Sequence, residues 1–254
     1  MAEGLARWQG KVALITGASS GIGRATATRL AREGLRVALS ARNAGKLEDL
    51  AKTLQSTGGQ AQAFPADLRN AEDIRRMFDA VRQAWGGVDV MINNAGLGYT
   101  NALAEQPDAE WREMLEVNIL ALSICTQEAL KDMEGRPEGQ IIHISSIAGH
   151  RVPAGRGGAF YAASKFAVRA LADGLRFELV EKNSPVRLAQ ISPGVVETEF
   201  HDRATKGTGD SKAFYSQYQV LKPDDVADVI AYLLSTPPHV NIHDVIMRSL
   251  AQPH

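Results

Sequence analysis

A single cysteine, Cys125, occurs in 254 residues, so no intramolecular disulfide framework can hold the chain together, and such usage fits a reducing compartment. Long apolar runs are missing too; nothing approaches the roughly 20 residues a helix needs to cross a bilayer. Residues 1–10, ahead of the first strand-like run, are too short and polar to hold the apolar part of a secretory leader. Excess charge of one sign is also lacking. Lys and Arg number 28 against 29 Asp and Glu, a formal net charge of -1, which leaves no overall field to draw the chain to nucleic acid or anionic lipid. Disorder is excluded by the 44% apolar content. Together these absences predict a soluble, cytoplasmic protein with neither nucleic acid nor membrane as partner. No repeat, low-complexity tract or Pro/Ser-rich linker divides the chain, so residues 1–254 read as one domain.

What is present alternates. Short runs rich in β-branched residues, at 12–16, 36–40, 61–65, 88–93, 140–145 and 186–191, read as buried strands. Stretches with helical spacing, at 23–33, 46–57, 72–85, 108–133, 161–181 and 223–235, lie between and after them. A seventh short strand, 241–246, is expected at one edge. Strands alternating with long helices predict an α/β fold, a doubly wound parallel sheet of about seven strands with helices on both faces. Gly34 and the pair Gly58-Gly59 stop the helices they follow, while Pro107-Asp108 and Pro223-Asp224 start others. Two loops are irregular. Segment 149–159 holds four glycines, and 195–220 is expected to be a substrate loop or lid. Its Phe200, Phe214, Tyr215 and Tyr218 would form either an apolar cover or a packing surface.

Directly after the first strand comes Thr16-Gly17-Ala18-Ser19-Ser20-Gly21-Ile22-Gly23, leading into a helix. In that position a glycine turn lets backbone approach a pyrophosphate and aims helix N–H groups at it, the Rossmann-type arrangement. A nucleotide P-loop fails, because Gly-Lys-Ser/Thr is absent. The second strand ends Ser40-Ala41-Arg42-Asn43 with no acid before Glu48. Arg42 suits a 2′-phosphate that a carboxylate would repel, so the cofactor is read as NADP(H). Asp67-Leu68 follows the third strand and Asn93-Asn94-Ala95-Gly96 the fourth, both at carboxyl ends where open α/β sheets bind ligands. Asp67 could accept from the adenine amine, and the small Ala95-Gly96 turn would leave room for ribose.

Ser145-Ser146 end the fifth strand, and Tyr161-Ala162-Ala163-Ser164-Lys165 open the next helix. One helical turn separates Tyr161 from Lys165, so they share a face. A phenol near its ordinary pKa of about 10 carries protons poorly at neutral pH, and bringing it down takes roughly 4 kcal/mol of differential stabilisation. A neighbouring ammonium and an oxidised nicotinamide would favour phenolate, while Ser146 held the substrate oxygen. Ser145 is the rival anchor, although it should face the other side of the strand.

This set, with Asn118, Pro193-Gly194 and Thr198 in order across nearly the whole chain, resembles the short-chain dehydrogenase/reductase family. The resemblance implies Tyr161 as general acid/base, Ser146 as substrate anchor, and Lys165 as holder of the nicotinamide ribose and acidifier of Tyr161. It implies that Asn118 fixes a water joining Lys165 to solvent. Pro193, Gly194, Val196 (through backbone) and Thr198 (through hydroxyl) would line the carboxamide. It also implies a homodimer or homotetramer through helices 108–133 and 161–181. One departure stands out: the family's serine commonly precedes its tyrosine by 13 residues, against 15 here, the spare residues falling in the glycine-rich loop. Segments 121–126, 149–152, 191–198 and 221–226 resemble the branch acting on ketosteroids and hydroxysteroids. Insect farnesol dehydrogenases and bacterial NADP-dependent 3-hydroxy acid dehydrogenases are similar as well.

The expected activity is therefore interconversion of a small-molecule ketone or aldehyde with its alcohol, without a metal. A non-catalytic dinucleotide sensor is the alternative of another class, though it would be expected to lose the Tyr, Lys or Ser. An epimerase or dehydratase on nucleotide sugars would need a larger region after Thr198. His143, His150 and Cys125 read as structural or loop residues, with no second ligand at metal spacing.

Overall fold

The computed structural model describes residues 2–153 and 157–252. Part of the glycine-rich loop 149–159 thus lies outside the described residues, as do Met1, Pro253 and His254. Seven apolar runs form the strands: β1 (Val12–Thr16), β2 (Arg36–Ser40), β3 (Gln60–Ala63), β4 (Val90–Asn93), β5 (Gly139–Ile144), β6 (Val186–Pro193) and β7 (Asp244–Met247). All pair in parallel, in the order β3-β2-β1-β4-β5-β6-β7. Progression reverses between β1 and β4, and the cleft beyond their carboxyl ends is where such sheets take ligands.

Side chains along each strand alternate between two cores. Ala13 and Ile15 of β1 face one with Leu30, Leu50 and Ile230; Val12 and Leu14 face the other with Phe78, Cys125 and Leu188. The first core packs under α1 (Ala2–Ala6), α2 (Gly21–Arg32), α3 (Ala44–Ser56) and α10 (Pro223–Ser235). The second lies under α4 (Ala71–Trp85), α6 (Leu122–Met133) and α7 (Ala159–Glu181). Helices on both faces explain why strands that read as continuous apolar runs are buried throughout.

Several segments differ from expectation; the last strand runs Asp244–Met247 rather than 241–246, and the fourth begins at Val90 rather than 88. The single helix expected at 108–133 is broken: α5 (Asp108–Leu115) widens into a π-helical segment (Glu116–Ala121) before α6 resumes. The polar start of the chain docks, because Trp8 is fully buried with its indole N–H donating to the Leu234 carbonyl (2.9 Å). The third strand ends at Ala63 rather than 65, at the sheet edge, where it has one neighbour only. Expected lid 195–220 contains two short helices, α8 (Phe200–Ala204) and α9 (Ser211–Ser216), closed at its base by the Val196–Leu221 bridge.

Candidate active site

β1 delivers Thr16 to the switch point, where its hydroxyl accepts from the N–H groups of Asn94 and Ala95 (both 3.1 Å). In return Asn94 donates its amide to the Thr16 carbonyl (2.8 Å), locking the β1 and β4 turns together. Glycine is needed here. Gly17 and Gly21 take the left-handed backbone (φ 67 and 52), and a Cβ on Gly23 would stand 2.3 Å from the Gly17 carbonyl oxygen. Ser20 is the N-cap of α2 and makes no capping bond with its side chain, so the first N–H groups of the helix stay open to a ligand.

Around this turn the expected adenine-side residues assemble. Arg42 is exposed just beyond β2. Asn43 caps α3 by accepting from Lys46 N–H (3.0 Å), and Leu68 points into the core. Asp67 has a partner the sequence did not suggest: Arg69 donates Nε to its carboxylate (2.9 Å) and, with a weaker contribution from Arg42, holds it below the usual carboxylate range. Arg69 also reaches Glu113 (3.4 Å), which accepts from the hydroxyl of Tyr99.

On the other side of the cleft, Ser146 leaves β5 and N-caps a 3-10 turn (Ile147–Gly149), its hydroxyl accepting from Ala148 N–H (3.1 Å). Tyr161 lies in the first turn of α7 and shares a hydrogen bond with Ser146. Ser145 takes the opposite side of the chain, beside Gly149, and its buried hydroxyl has no partner. Lys165 is buried, donates to the Ile144 carbonyl (3.0 Å), and sits 5.8 Å from the centre of the Tyr161 ring.

The acidified phenol expected from the sequence has an oxidised nicotinamide beside it; in the protein alone burial acts the other way. Burial pushes the Tyr161 hydroxyl up to about 12, with the Ser146 hydrogen bond working against it, and burial draws Lys165 down to about 8. The Lys165 ammonium lies over the Tyr161 ring and donates to the Ile144 carbonyl. Asn118 ties several elements together. Its amide is spent on protein groups, accepting from Leu97 N–H (2.9 Å) and donating to the Leu97 carbonyl (2.8 Å) and the Ser164 hydroxyl (3.0 Å). Ser164 in turn donates to the Tyr161 carbonyl (2.7 Å), so the π-helical segment ties the loop after β4 to the helix that carries Tyr161.

The strand β6 brings Pro193 and Gly194 to the same cleft, where Gln252 occupies the place a side chain at Gly194 would need. The Val196–Leu221 bridge uses the groups of Val195 and Glu197, leaving the Val196 N–H unengaged by it. Thr198 abuts Gly21, and its hydroxyl accepts from Phe200 N–H (3.2 Å). Two functional positions had escaped notice. Gly98 is one, since a Cβ there would meet the rings of Tyr161 and Phe200. Arg203 is the other, donating to the Ser20 hydroxyl (3.2 Å) from the lid.

The aromatic residues of 195–220 divide. Phe200 packs on Tyr161 with ring centres 5.5 Å apart, whereas Phe214 stacks on His201 and Tyr215 meets both of them edge-on within the segment. Burial also settles the remaining reactive side chains. Cys125 is pushed up to about 12 and His143 down to about 3, so neither is poised for chemistry. No cluster of metal-ligating side chains occurs among the described residues.

A phosphate-sized glycine turn and a Ser-Tyr-Lys group facing one another across a parallel sheet define a dinucleotide-dependent oxidoreductase. The chain belongs to the short-chain dehydrogenase family, whose profile matches residues 11–209. It is 46% identical to dehydrogenase/reductase SDR family member 11 of Mus musculus, with 98% of each chain covered. It is 37% identical to farnesol dehydrogenase of Aedes aegypti, over 97% of this chain and 98% of that one. Among solved structures, an alcohol dehydrogenase from the archaeon Thermococcus sibiricus, complexed with 5-hydroxy-NADP, superposes with a TM-score of 0.84 at 33% identity, covering 96% of this chain and 98% of that one.

The residues present fit such a dinucleotide. Pyrophosphate would lie against Gly17, Ser19, Ser20, Gly21, Ile22 and Gly23, at the N-terminus of α2, where Ser20 makes no capping bond with its side chain. Adenosine would lie toward Arg42, Asn43, Asp67 and Leu68, with Asn94, Ala95 and Gly96 beneath the ribose.

Proposed function

We propose that this protein is an NADP(H)-dependent enzyme that interconverts a lipophilic ketone or aldehyde and its alcohol, with Tyr161 as general acid/base. The observation that carries the reading is the hydrogen-bonded Ser146–Tyr161 pair with Lys165 one turn behind it. Arg42, in place of an acid at the end of β2, supports a 2′-phosphate, as does the NADP analogue in the archaeal relative. Bound at the cleft, the dinucleotide supplies or accepts the hydride.

The chain's own residues do the rest. Ser146 and Tyr161 hydroxyls donate to the substrate oxygen as negative charge grows on it. Tyr161 gives its proton to that oxygen during reduction and takes it back during oxidation. A resting pKa of about 12 keeps Tyr161 protonated, which suits the acid role; Lys165 would lower it only once drawn toward the nicotinamide ribose. Asn118 positions Tyr161 through Ser164.

A ketosteroid or hydroxysteroid fits the wall that Phe200 presents beside Tyr161. An isoprenoid alcohol is the second reading, favoured by the likeness to the mosquito farnesol dehydrogenase. A 3-hydroxy acid is less well served, because Lys206, a lid cation suited to a carboxylate, is already paired with the buried Glu110 (2.6 Å). A homodimer or homotetramer is supported by apolar side chains left open on α7, Phe177 at 78% and Val180 at 76% exposure. Cytoplasmic location is supported by the buried, unpaired Cys125; no helix among the described residues is long and apolar enough to cross a membrane.

The test is Tyr161→Phe. Turnover of a steroid or isoprenoid carbonyl, followed as NADPH absorbance at 340 nm, should fall by at least about a hundredfold while NADPH binding stays near that of the parent. Activity above a hundredth of the parent would reject Tyr161 as the proton donor.

A further inference from the structure

Arg203 occupies a place that proton and hydride transfer do not require. It lies on α8, in the lid, yet its guanidinium crosses to the opposite wall of the cleft and donates to the Ser20 hydroxyl at 3.2 Å. Ser20 caps α2, a helix with no acidic residue in its first turn and with Arg24 at its fourth position. Helix N-termini carry partial positive charge, so a second cation brought there is unfavourable unless an anion sits with it. In the protein alone that anion is Glu199, whose carboxylate pairs with Arg203 (2.5 Å) and with Lys46 of α3 (3.7 Å). Both carboxylate pairs are solvent-exposed and therefore weak and easily exchanged. Beside them, Thr198 closes on Gly21, so the first residues of the lid already touch the phosphate turn.

We infer that Arg203 is a pyrophosphate ligand carried by the lid: when the dinucleotide is bound, its guanidinium exchanges Glu199 for a phosphate oxygen at the N-terminus of α2. This rests on the reading of the glycine turn as the pyrophosphate site. A planar guanidinium suits two phosphate oxygens at once, which its present hydroxyl partner does not exploit. The contact has a consequence for the substrate side. Phe200 is on the same short helix and packs on Tyr161, so a filled phosphate site holds the aromatic wall in place and favours cofactor binding before substrate.

Binding, not turnover, tests this. NADPH and NADH are titrated separately into the parent, Arg203→Ala, Arg203→Lys and Glu199→Gln, reading the enhancement of reduced-nicotinamide fluorescence. Thermal melting without cofactor checks that each variant is folded. Arg203→Ala should raise both dissociation constants by the same factor, about tenfold. Arg203→Lys should recover part of that loss, and Glu199→Gln should tighten both cofactors a few-fold by freeing the guanidinium. Constants within twofold of the parent in Arg203→Ala would overturn the inference. So would a loss confined to NADPH, which would move the contact to the 2′-phosphate, or weaker binding in Glu199→Gln. Should Arg203→Ala fail to fold, Arg203→Lys and Glu199→Gln decide alone. A parent that bound neither cofactor would instead overturn the reading of the glycine turn.

Discussion

Replacing Gly98 by alanine adds one methyl group at the point where the rings of Phe200 and Tyr161 meet. Its Cβ would stand 2.8 Å from Tyr161 Cδ2, 3.3 Å from Tyr161 Cγ and 3.0 Å from Phe200 Cζ. Carbon atoms rest in contact at about 3.5–4.0 Å, so both rings must retreat by roughly 0.5–1 Å. Gly98 is not in the left-handed region, so the backbone accepts alanine and the conflict is one of packing alone. Phe200, on an exposed five-residue helix, can swing away. Tyr161 has less freedom, held by Ser146 at its hydroxyl and by Ser164 at its carbonyl. Nor can the loop easily withdraw, since Asn118 grips Leu97 through both its amide atoms. The Tyr161 hydroxyl is therefore displaced, and an error approaching 1 Å at a reacting group costs on the order of a hundredfold in rate. Kcat of Gly98→Ala, measured at saturating NADPH, should fall between about tenfold and a hundredfold. NADPH affinity by fluorescence should hold, and urea unfolding should reveal a loss of about 1–3 kcal/mol from overpacking. Adding Phe200→Ala should restore stability in part and kcat hardly at all. A single variant with kcat within threefold of the parent would refute the claim that the added methyl displaces the Tyr161 hydroxyl.

Lys165 makes stability depend on pH. Its folded pKa of about 8 lies below the 10.5 of an unburied lysine, so between these limits the unfolded chain holds more protons and stability rises with pH. Above about 10 the trend reverses, because the unfolded Tyr161 ionises while the folded hydroxyl, at about 12, does not. Lys165→Met should flatten the rise and, at pH 7, gain up to about 3 kcal/mol in urea unfolding while losing activity; a parent with flat stability from pH 8 to 10 would contradict this. Phe177→Glu should convert an oligomer to a monomer by light scattering, and an unchanged mass would place the subunit contact elsewhere.

Much of the fold could be read directly, and the places where reading stopped have physical causes. Helix α10 begins and ends where its Pro-Asp start and apolar spacing put it, and β1 and β2 match their runs residue for residue. Ser146, Tyr161 and Lys165 converge as their strand-end and helix-turn positions imply. The π-helical break was hidden because α and π turns share nearly the same apolar pattern over a few residues. Helices of five and six residues in the lid are too short for periodicity to register, and their stability comes from contacts with the rest of the chain. Arg203 and, in its contact with Glu113, Arg69 reach through long, exposed side chains to partners far along the chain. Spacing along a chain carries no trace of such pairings. Gly98 is silent for the opposite reason, since what matters there is the side chain it lacks.

The widened turn at Glu116–Ala121 makes the hold on the tyrosine helix a matter of register. A π turn is an α-helix with one residue too many, so losing a single residue there could restore a regular cylinder while sparing the packing on either side. Asn118 would swing off Leu97 and Ser164, and the grip on the tyrosine helix would go with it.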